Sequence, residues 1–155
     1  MPAPGSHLAQ VNVARLREAL DRPSMQGFVD GLDPINALAD ASPGFVWRLQ
    51  TDDGDATSLR VFDDQMMIVN MSVWTSVEAL RAFVYASEHA GYLRRRSDWF
   101  ERLDEAPTAL WWIEEGTLPT LDDAKTRLEV LRERGPTQEA FTLRHSFVAP
   151  TFSTP

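Results

Sequence analysis

The sequence contains no cysteine among its 155 residues. Disulfides, thiolate nucleophiles, iron–sulfur clusters and cysteine-based zinc sites are therefore excluded. Basic residues are in the minority, with 15 Lys and Arg against 23 Asp and Glu and a formal net charge of -8. Because an acidic surface repels phosphate backbones and anionic membranes, we expect neither nucleic acid nor a membrane as a partner.

Long apolar runs are missing as well. No segment approaches the roughly 18 to 20 consecutive apolar residues of a membrane-spanning helix, and the first residues lack the features of a signal peptide. With 43% hydrophobic and 25% charged residues, the composition is that of an ordinary globular protein whose length fits one domain. We expect a single cytoplasmic domain over residues 1–155, with its core at about 7–147 and short flexible termini.

Several motifs that identify enzyme classes are also absent. The three histidines, His7, His89 and His145, show no metal-ligand spacing, and there is no glycine-rich phosphate loop or nucleophile elbow. The acid clusters, such as Asp52 to Asp55, lack the spacing of a calcium loop and have the composition of solvated loops. We expect no metal site.

The hydrophobic pattern predicts alternating strands and helices. Alternation or short apolar runs predict five strands, at His7–Ala14, Phe45–Gln50, Gln65–Trp74, Pro107–Glu114 and Phe141–Phe147. Helical spacing predicts a helix over Ser24–Ala41 that Pro34 kinks or splits, one capped by Thr75 with Glu78, one over Ser87–Phe100, and one that Thr120 caps and Gly135 ends.

Without its last helix and strand, and with the two helices between the third and fourth strands counted as one helical segment, this order is βαββαβ, the ferredoxin-like arrangement of an α+β protein. Its four-stranded sheet has helices on one face. The opposite face, with Met67, Met71 and Val73, would lie bare in a monomer, and we expect a homodimer to form through it.

Strand parity places polar side chains together. Gln10 and Asn12 share one face of the first strand, while Asn70, Ser72 and Trp74 share one face of the third, which is its neighbour in a ferredoxin-like sheet. If both faces point toward the helices, they form a polar patch in an apolar wall, which is typical of small-molecule pockets. Packing in the core is the alternative role for Trp74.

A second group of candidates lies on one stripe of the helix predicted over Ser87–Phe100. His89 heads this stripe, followed by Tyr92 and Arg96. His89 can act as a general base or can instead cap a helix or satisfy a core hydrogen bond. Arg96 can meet an anionic group of a substrate, or can stack on an indole and pair with a nearby acid.

Three stretches, Asn36–Gln50, Val69–His89 and Leu93–Phe100, resemble a family of small bacterial proteins known as domain of unknown function 3291. That family is similar to the antibiotic-biosynthesis-monooxygenase-like superfamily of dimeric α/β barrels. The resemblance implies a homodimer with face-to-face sheets and an apolar cavity between sheet and helices. Superfamily members include cofactor-independent quinone-forming monooxygenases and haem-degrading oxygenases. In the latter, an asparagine, a tryptophan and a histidine surround the ligand, and Asn12, Trp74 and His89 are the matching residues here.

The sequence thus leaves more than one function open. The first hypothesis is a monooxygenase-like enzyme for an apolar or aromatic substrate, without an organic cofactor, in which His89 is the base and the polar patch, Tyr92 and Arg96 position the substrate. The alternatives are a non-catalytic dimeric ligand-binding protein and a haem-binding or haem-degrading relative. A purely structural interaction module would have no cavity at all.

Overall fold

The computed structural model describes residues 5–50, 57, 59, 62, 64–86, 91 and 94–150. Its strands are β1 (Ser6–Leu16), β2 (Phe45–Arg48), β3 (Met67–Trp74), β4 (Phe100–Glu101) and β5 (Thr108–Glu114). Its helices are α1 (Gln26–Asp40, entered through a short 3-10 turn at Pro23–Met25), α2 (Val77–Ala86), α3 (Arg96–Trp99) and α4 (Leu121–Arg134).

The sheet has the ferredoxin-like strand order. β1 pairs with β3 on one side and with β5 on the other, and β2 pairs with the far side of β3. All these pairings are antiparallel, and the short β4 pairs with the end of β1 beside β5. With α1 between β1 and β2 and α2 after β3, the predicted ferredoxin-like α+β fold is confirmed.

The sheet face that carries Met67, Met71 and Val73 is covered by the C-terminal helix α4. Leu128 of α4 is 0% exposed and belongs to the same core cluster as Met71 and Val73, which are 1% and 0% exposed. The expectation that this face lies bare in a monomer is therefore wrong. An amphipathic helix of the same chain removes the apolar surface from water, so no second subunit is needed there.

The other face of the sheet, which we call the helix face, packs against α1, α2 and α3 through two apolar clusters. The first joins β1, β3 and β5 to α1 and α2 and contains Leu8, Ala39, Trp74, Leu80, Leu110 and Phe141. The second lies at the other end of the strands and contains Leu16, Met25, Ile68 and Trp99. The middle of the strands lies between these clusters, and it carries the candidate site.

The connection from β3 to α2 is capped one residue later than predicted. Ser76 Oγ, not the Thr75 side chain, accepts the hydrogen bond from Ala79 N, at 3.1 Å. Thr75 stays tied to the end of the sheet, because its N–H donates to Gly44 O at 2.8 Å. Gly44 has φ +82°, and a Cβ there would lie 2.5 Å from the Ala79 Cβ, so this close approach requires glycine.

Three other predicted elements differ in detail from the structure. Helix α1 runs through Pro34 without a break, so Pro34 does not split it. The predicted helix over Ser87–Phe100 falls partly outside the described residues, and at its end Phe100 pairs with Leu16 as a strand residue. No helix in the described part of the chain is long and apolar enough to cross a membrane.

The predicted closing strand Phe141–Phe147 is reduced to one bridge. Phe141 and Leu110 exchange two backbone hydrogen bonds of 2.8 Å, and the chain then leaves β5. Two side-chain hydrogen bonds hold the next residues in place, from Trp112 Nε1 to Phe147 O at 2.9 Å and from Ser6 Oγ to Pro150 O at 2.7 Å. The segment therefore packs along the sheet edge as an irregular strap and does not extend the sheet.

Candidate functional site

Four of the predicted site residues form one hydrogen-bonded group on the helix face. Gln10 Nε2 donates to Asn70 Oδ1 at 2.7 Å and to Ser72 Oγ at 2.8 Å. Ser72 Oγ also accepts from Trp74 Nε1, at 2.8 Å. Gln10 lies directly opposite Ser72 in the β1–β3 register, which is why the amide reaches both partners on the next strand.

Asn12 continues this group toward β5. It lies opposite Asn70 on β3 and opposite Thr108 on β5, and its Nδ2 donates to Thr108 Oγ1 at 2.6 Å. Thr108 was missed by the sequence analysis. Alternation along the strand predicted at Pro107–Glu114 puts Thr108 and Leu110 on one face, but only the register with β1 shows that this face is the one that carries Asn12.

We call the side chains of Gln10, Asn12, Asn70, Ser72 and Thr108 the polar centre. Gln10 and Ser72 are each 7% exposed, Asn12 is half-buried, and Asn70 is exposed. Buried polar groups need hydrogen-bond partners, and Gln10 and Ser72 have them within the group. Asn12 and Asn70 lie in the middle of the helix face and still reach solvent.

Trp74 supports the polar centre from the first apolar cluster. Its ring stacks on Phe83 of α2 at a centroid distance of 5.2 Å and forms a T-shaped contact with Phe45 at a centroid distance of 5.5 Å. The side chain is 1% exposed, so its surface is taken up by packing, and its only polar atom is bonded to Ser72. The geometry therefore makes Trp74 a residue that orients Ser72 from within the core.

One charged residue borders the polar centre and was also missed. Arg48 of β2 lies opposite Ser72, which places it on the helix face, and its side chain is only 14% exposed. Arg48 Nε donates to Asp40 Oδ1 at the end of α1, at 2.8 Å. This ion pair balances the charge and joins α1 to β2 beside the site. The predicted strand Phe45–Gln50 carried no usable signal for this position, because an irregularity in the β2–β3 register between Phe45 and Trp47 breaks the alternation of side chains.

Of the second group of candidates, the structure describes only Arg96. His89 and Tyr92 lie outside the described residues. Arg96 is exposed at the start of α3, which packs at the Leu16 end of β1, and it makes no hydrogen bond or ion pair with the polar centre among the described residues.

Arg95, not Arg96, stacks on an indole and pairs with a nearby acid. The Arg95 guanidinium lies 4.7 Å from the centroid of the Trp99 ring, and Arg95 Nε lies 3.2 Å from Asp98 Oδ2. Stacking on an indole and pairing with an acid thus belong to Arg95. The helical spacing predicted Arg96 as the arginine that stacks on Trp99, whereas in the structure Arg95 stacks on it.

No other feature of the described residues competes with the polar centre. Within these residues, no group of three or more His, Asp or Glu side chains could hold a metal ion. A shallow open depression of about 380 Å³ lies on the C-terminal segment and is lined by Pro136, His145, Ser146 and Phe147. None of the polar-centre side chains lines it.

The fold and the polar centre define the class: a ferredoxin-like α+β protein with a candidate small-molecule site on the helix face of its sheet, which packs against α1, α2 and α3. Residues 7–155 match the family described as "Domain of unknown function (DUF3291)", and the chain belongs to that family. This confirms the family resemblance of the sequence.

Solved structures with a similar fold come from several bacteria. PA3566 from Pseudomonas aeruginosa is 11% identical, with a TM-score of 0.47, over 72% of this chain and 96% of that one. Rv0793 from Mycobacterium tuberculosis is 16% identical, with a TM-score of 0.45, over 74% and 99%. A variant of SnoaB, a cofactor-independent oxygenase from Streptomyces nogalater, is 18% identical, with a TM-score of 0.44, over 74% and 98%. Likenesses this low assign no reaction to this chain. No curated protein matches it.

Proposed function

We propose that this protein binds a small apolar or aromatic molecule over the polar centre, between the sheet and its covering helices. The observation that carries the proposal is a group of five uncharged polar side chains in the middle of a face whose two ends are apolar. Two of them, Asn12 and Asn70, remain accessible. A few polar groups that converge in an apolar wall bind and orient small ligands.

We further propose monooxygenase-like chemistry on this ligand, as the resemblance of the sequence to that superfamily implies. Oxidation of a ring CH2 group to a carbonyl by O2 releases one water and balances without an external reductant. No reductant is therefore consumed, and the proposal includes no organic cofactor. His89 is the proposed base that removes the substrate proton, and Tyr92 and Arg96 are proposed substrate contacts. The assignment of these three residues is supported by the sequence alone.

Binding of a naphthol, a neutral aromatic probe, tests the first part of the proposal. We expect Asn70→Ala to weaken naphthol binding about fivefold, the effect of one neutral hydrogen bond, in isothermal titration calorimetry. Gln138→Ala is the matched control, because the Gln138 amide is exposed on the C-terminal segment and bonds to Val148 O. No naphthol binding, or equal affinities of both variants, would contradict the proposed site.

Oxygen uptake with anthrone, which has one oxidisable CH2 group between aromatic rings, tests the second part. We expect uptake by the unmodified protein and none by His89→Ala, with an unchanged far-UV circular dichroism spectrum. Uptake that survives in His89→Ala removes this residue from the mechanism. Binding without uptake is the result expected of a non-catalytic ligand-binding protein.

Haem, the other ligand that the resemblance implies, does not fit the described residues. Trp74 is the tryptophan that would have to contact it, and its ring is 1% exposed between Phe45 and Phe83. No face of that indole is left for a macrocycle. A Soret band on haem titration that His89→Ala abolishes would reverse this conclusion.

A homodimer and a cytoplasmic location stay predictions. Helix α4 covers the surface through which we expected the subunits to join, so a dimer would have to form through another surface. Sedimentation equilibrium measures the oligomeric state directly.

A further inference from the structure

The hydrogen bonds of Asn12 and Asn70 determine which end of each amide remains available. Asn12 Nδ2 donates a hydrogen bond to Thr108 Oγ1, which leaves Asn12 Oδ1 as an acceptor. Asn70 accepts from Gln10 Nε2 through Oδ1, which leaves Nδ2 as a donor. No side chain in the described part of the protein bonds to Asn12 Oδ1 or Asn70 Nδ2. Asn12 therefore offers an acceptor to a ligand, whereas Asn70 offers a donor.

The two remaining groups lie side by side. Asn12 and Asn70 are directly opposite each other in the antiparallel β1–β3 register, and both side chains point to the helix face. The Cβ atoms of such pairs are about 4.5–5.5 Å apart. That spacing allows one planar group of a ligand to meet both amides at once.

The described surroundings are neutral. The five side chains of the polar centre carry no charge at any ordinary pH. The positive charge of Arg48, which borders Ser72, is balanced by its ion pair with Asp40. A charged ligand group would therefore lose its hydration without gaining an unmatched opposite charge among these residues.

We propose that Asn12 and Asn70 together bind a neutral ligand group with a hydrogen-bond donor next to an acceptor, such as a carboxamide or a lactam. The ligand donor meets Asn12 Oδ1, and the ligand acceptor meets Asn70 Nδ2. Thr108 and Gln10 are positioning residues that set this selectivity, because each holds one asparagine in its orientation. This inference rests on the proposed function, since it requires a ligand over the polar centre.

Other ligand groups meet one of the two amides unfavourably. A carboxylate offers only acceptors, so one of its oxygens would face the oxygen of Asn12. An ammonium offers only donors and would face the nitrogen of Asn70. Each mismatch leaves a polar atom near the sheet without a partner, which costs more than an absent contact.

Four probes with one naphthalene ring test the selectivity: naphthalene, naphthamide, naphthoate and naphthylmethylammonium, substituted at the same position. We expect calorimetry to show that naphthamide binds at least about fivefold more tightly than each of the others, because it gains at least one neutral hydrogen bond that each of them lacks. Naphthalene reports the apolar contribution alone.

Variants of Thr108 test the positioning role. Thr108→Val keeps the shape but removes the partner of Asn12, so the Asn12 amide can turn and present Nδ2. We expect the preference for naphthamide over naphthoate to fall about fivefold, with naphthalene affinity unchanged. Thr108→Ser, which keeps the hydroxyl, should retain the preference. Thr117→Val is the matched control, because the Thr117 hydroxyl bonds to Glu114 O in the turn after β5.

The outcomes distinguish a failure of this inference from a failure of the proposed function. Naphthalene binding as tight as naphthamide binding leaves the proposed function intact and overturns the inference, as does tightest binding by naphthoate or by the ammonium. Equal weakening of all four probes by Thr108→Val shows structural damage and refutes the positioning role. Failure of all four probes to bind the unmodified protein overturns the proposed function together with the inference.

Discussion

Leu128 of α4 offers a direct test of which part of the molecule covers the second face of the sheet. Its side chain is 0% exposed and packs in the cluster that contains Met71, Val73 and Trp111. Truncating a fully buried leucine removes its apolar contacts and leaves a cavity, at a cost of about 2 to 5 kcal/mol. Since Leu128 is fully buried in this cluster, we expect Leu128→Ala to lower the free energy of unfolding by about 3 kcal/mol.

Urea denaturation followed by circular dichroism at two protein concentrations gives the required measurement. The difference between Leu128→Ala and the unmodified protein should be the same at both concentrations, because Leu128 packs within its own chain. Glu129→Ala, at the exposed neighbouring position of the same helix, should change stability by less than about 0.5 kcal/mol. A loss below about 1 kcal/mol would refute the packing of Leu128 against the sheet, and a loss that shrinks as concentration rises would mean that another molecule covers this face.

Two further predictions concern the supports of the candidate site. Ser72→Ala leaves Trp74 Nε1 and one Gln10 hydrogen without an acceptor in a buried position, so chemical denaturation should show a loss of about 2 kcal/mol, against almost none for the control Ser146→Ala. A loss for Ser72→Ala no larger than that of the control would show that these bonds contribute nothing. Gly44→Ala and Gly116→Ala both place alanine at positive φ, but only at Gly44 would the new Cβ meet Ala79, at 2.5 Å. Gly44→Ala should therefore lower the thermal midpoint clearly more than Gly116→Ala, and equal shifts would contradict the close approach.

Strand parity predicted most of the polar centre because it depends only on the alternation of side chains along a strand. Side chains of residues directly opposite each other on neighbouring strands lie on the same face of the sheet. The structure pairs Gln10 of β1 with Ser72 of β3 in this way, so the two polar faces predicted by alternation coincide. The same reasoning could not find Thr108 or Arg48 as site residues. Their contribution depends on the register of β5 and β2, and register is set by pairing across the sheet, which no local pattern contains.

The covering of the second sheet face shows a different limit. The helical spacing of Leu121, Ala124, Leu128 and Leu131 predicts an amphipathic helix after Thr120, but the pattern of one helix does not state which surface it packs against. The ferredoxin-like unit without α4 suggested a bare face, and the resemblance suggested a second subunit to cover it. Contact of Leu128 with the cluster around Met71 decides this point, and it is a contact between segments far apart in the chain.

The contrast between the two faces of the sheet also supports a functional origin for the polar centre. On the α4 face, the middle of β1 and β3 carries Val11, Val69 and Met71, which are almost fully buried and need no hydrogen bonds. On the helix face, the adjacent positions carry Gln10 and Ser72, which are buried within a hydrogen-bonded group that also includes Asn70 and Trp74 Nε1. Replacing all members of such a group by apolar groups of similar shape is close to neutral for stability. Stability alone therefore gives no reason for the polar solution, whereas ligand binding over Asn12 and Asn70 does.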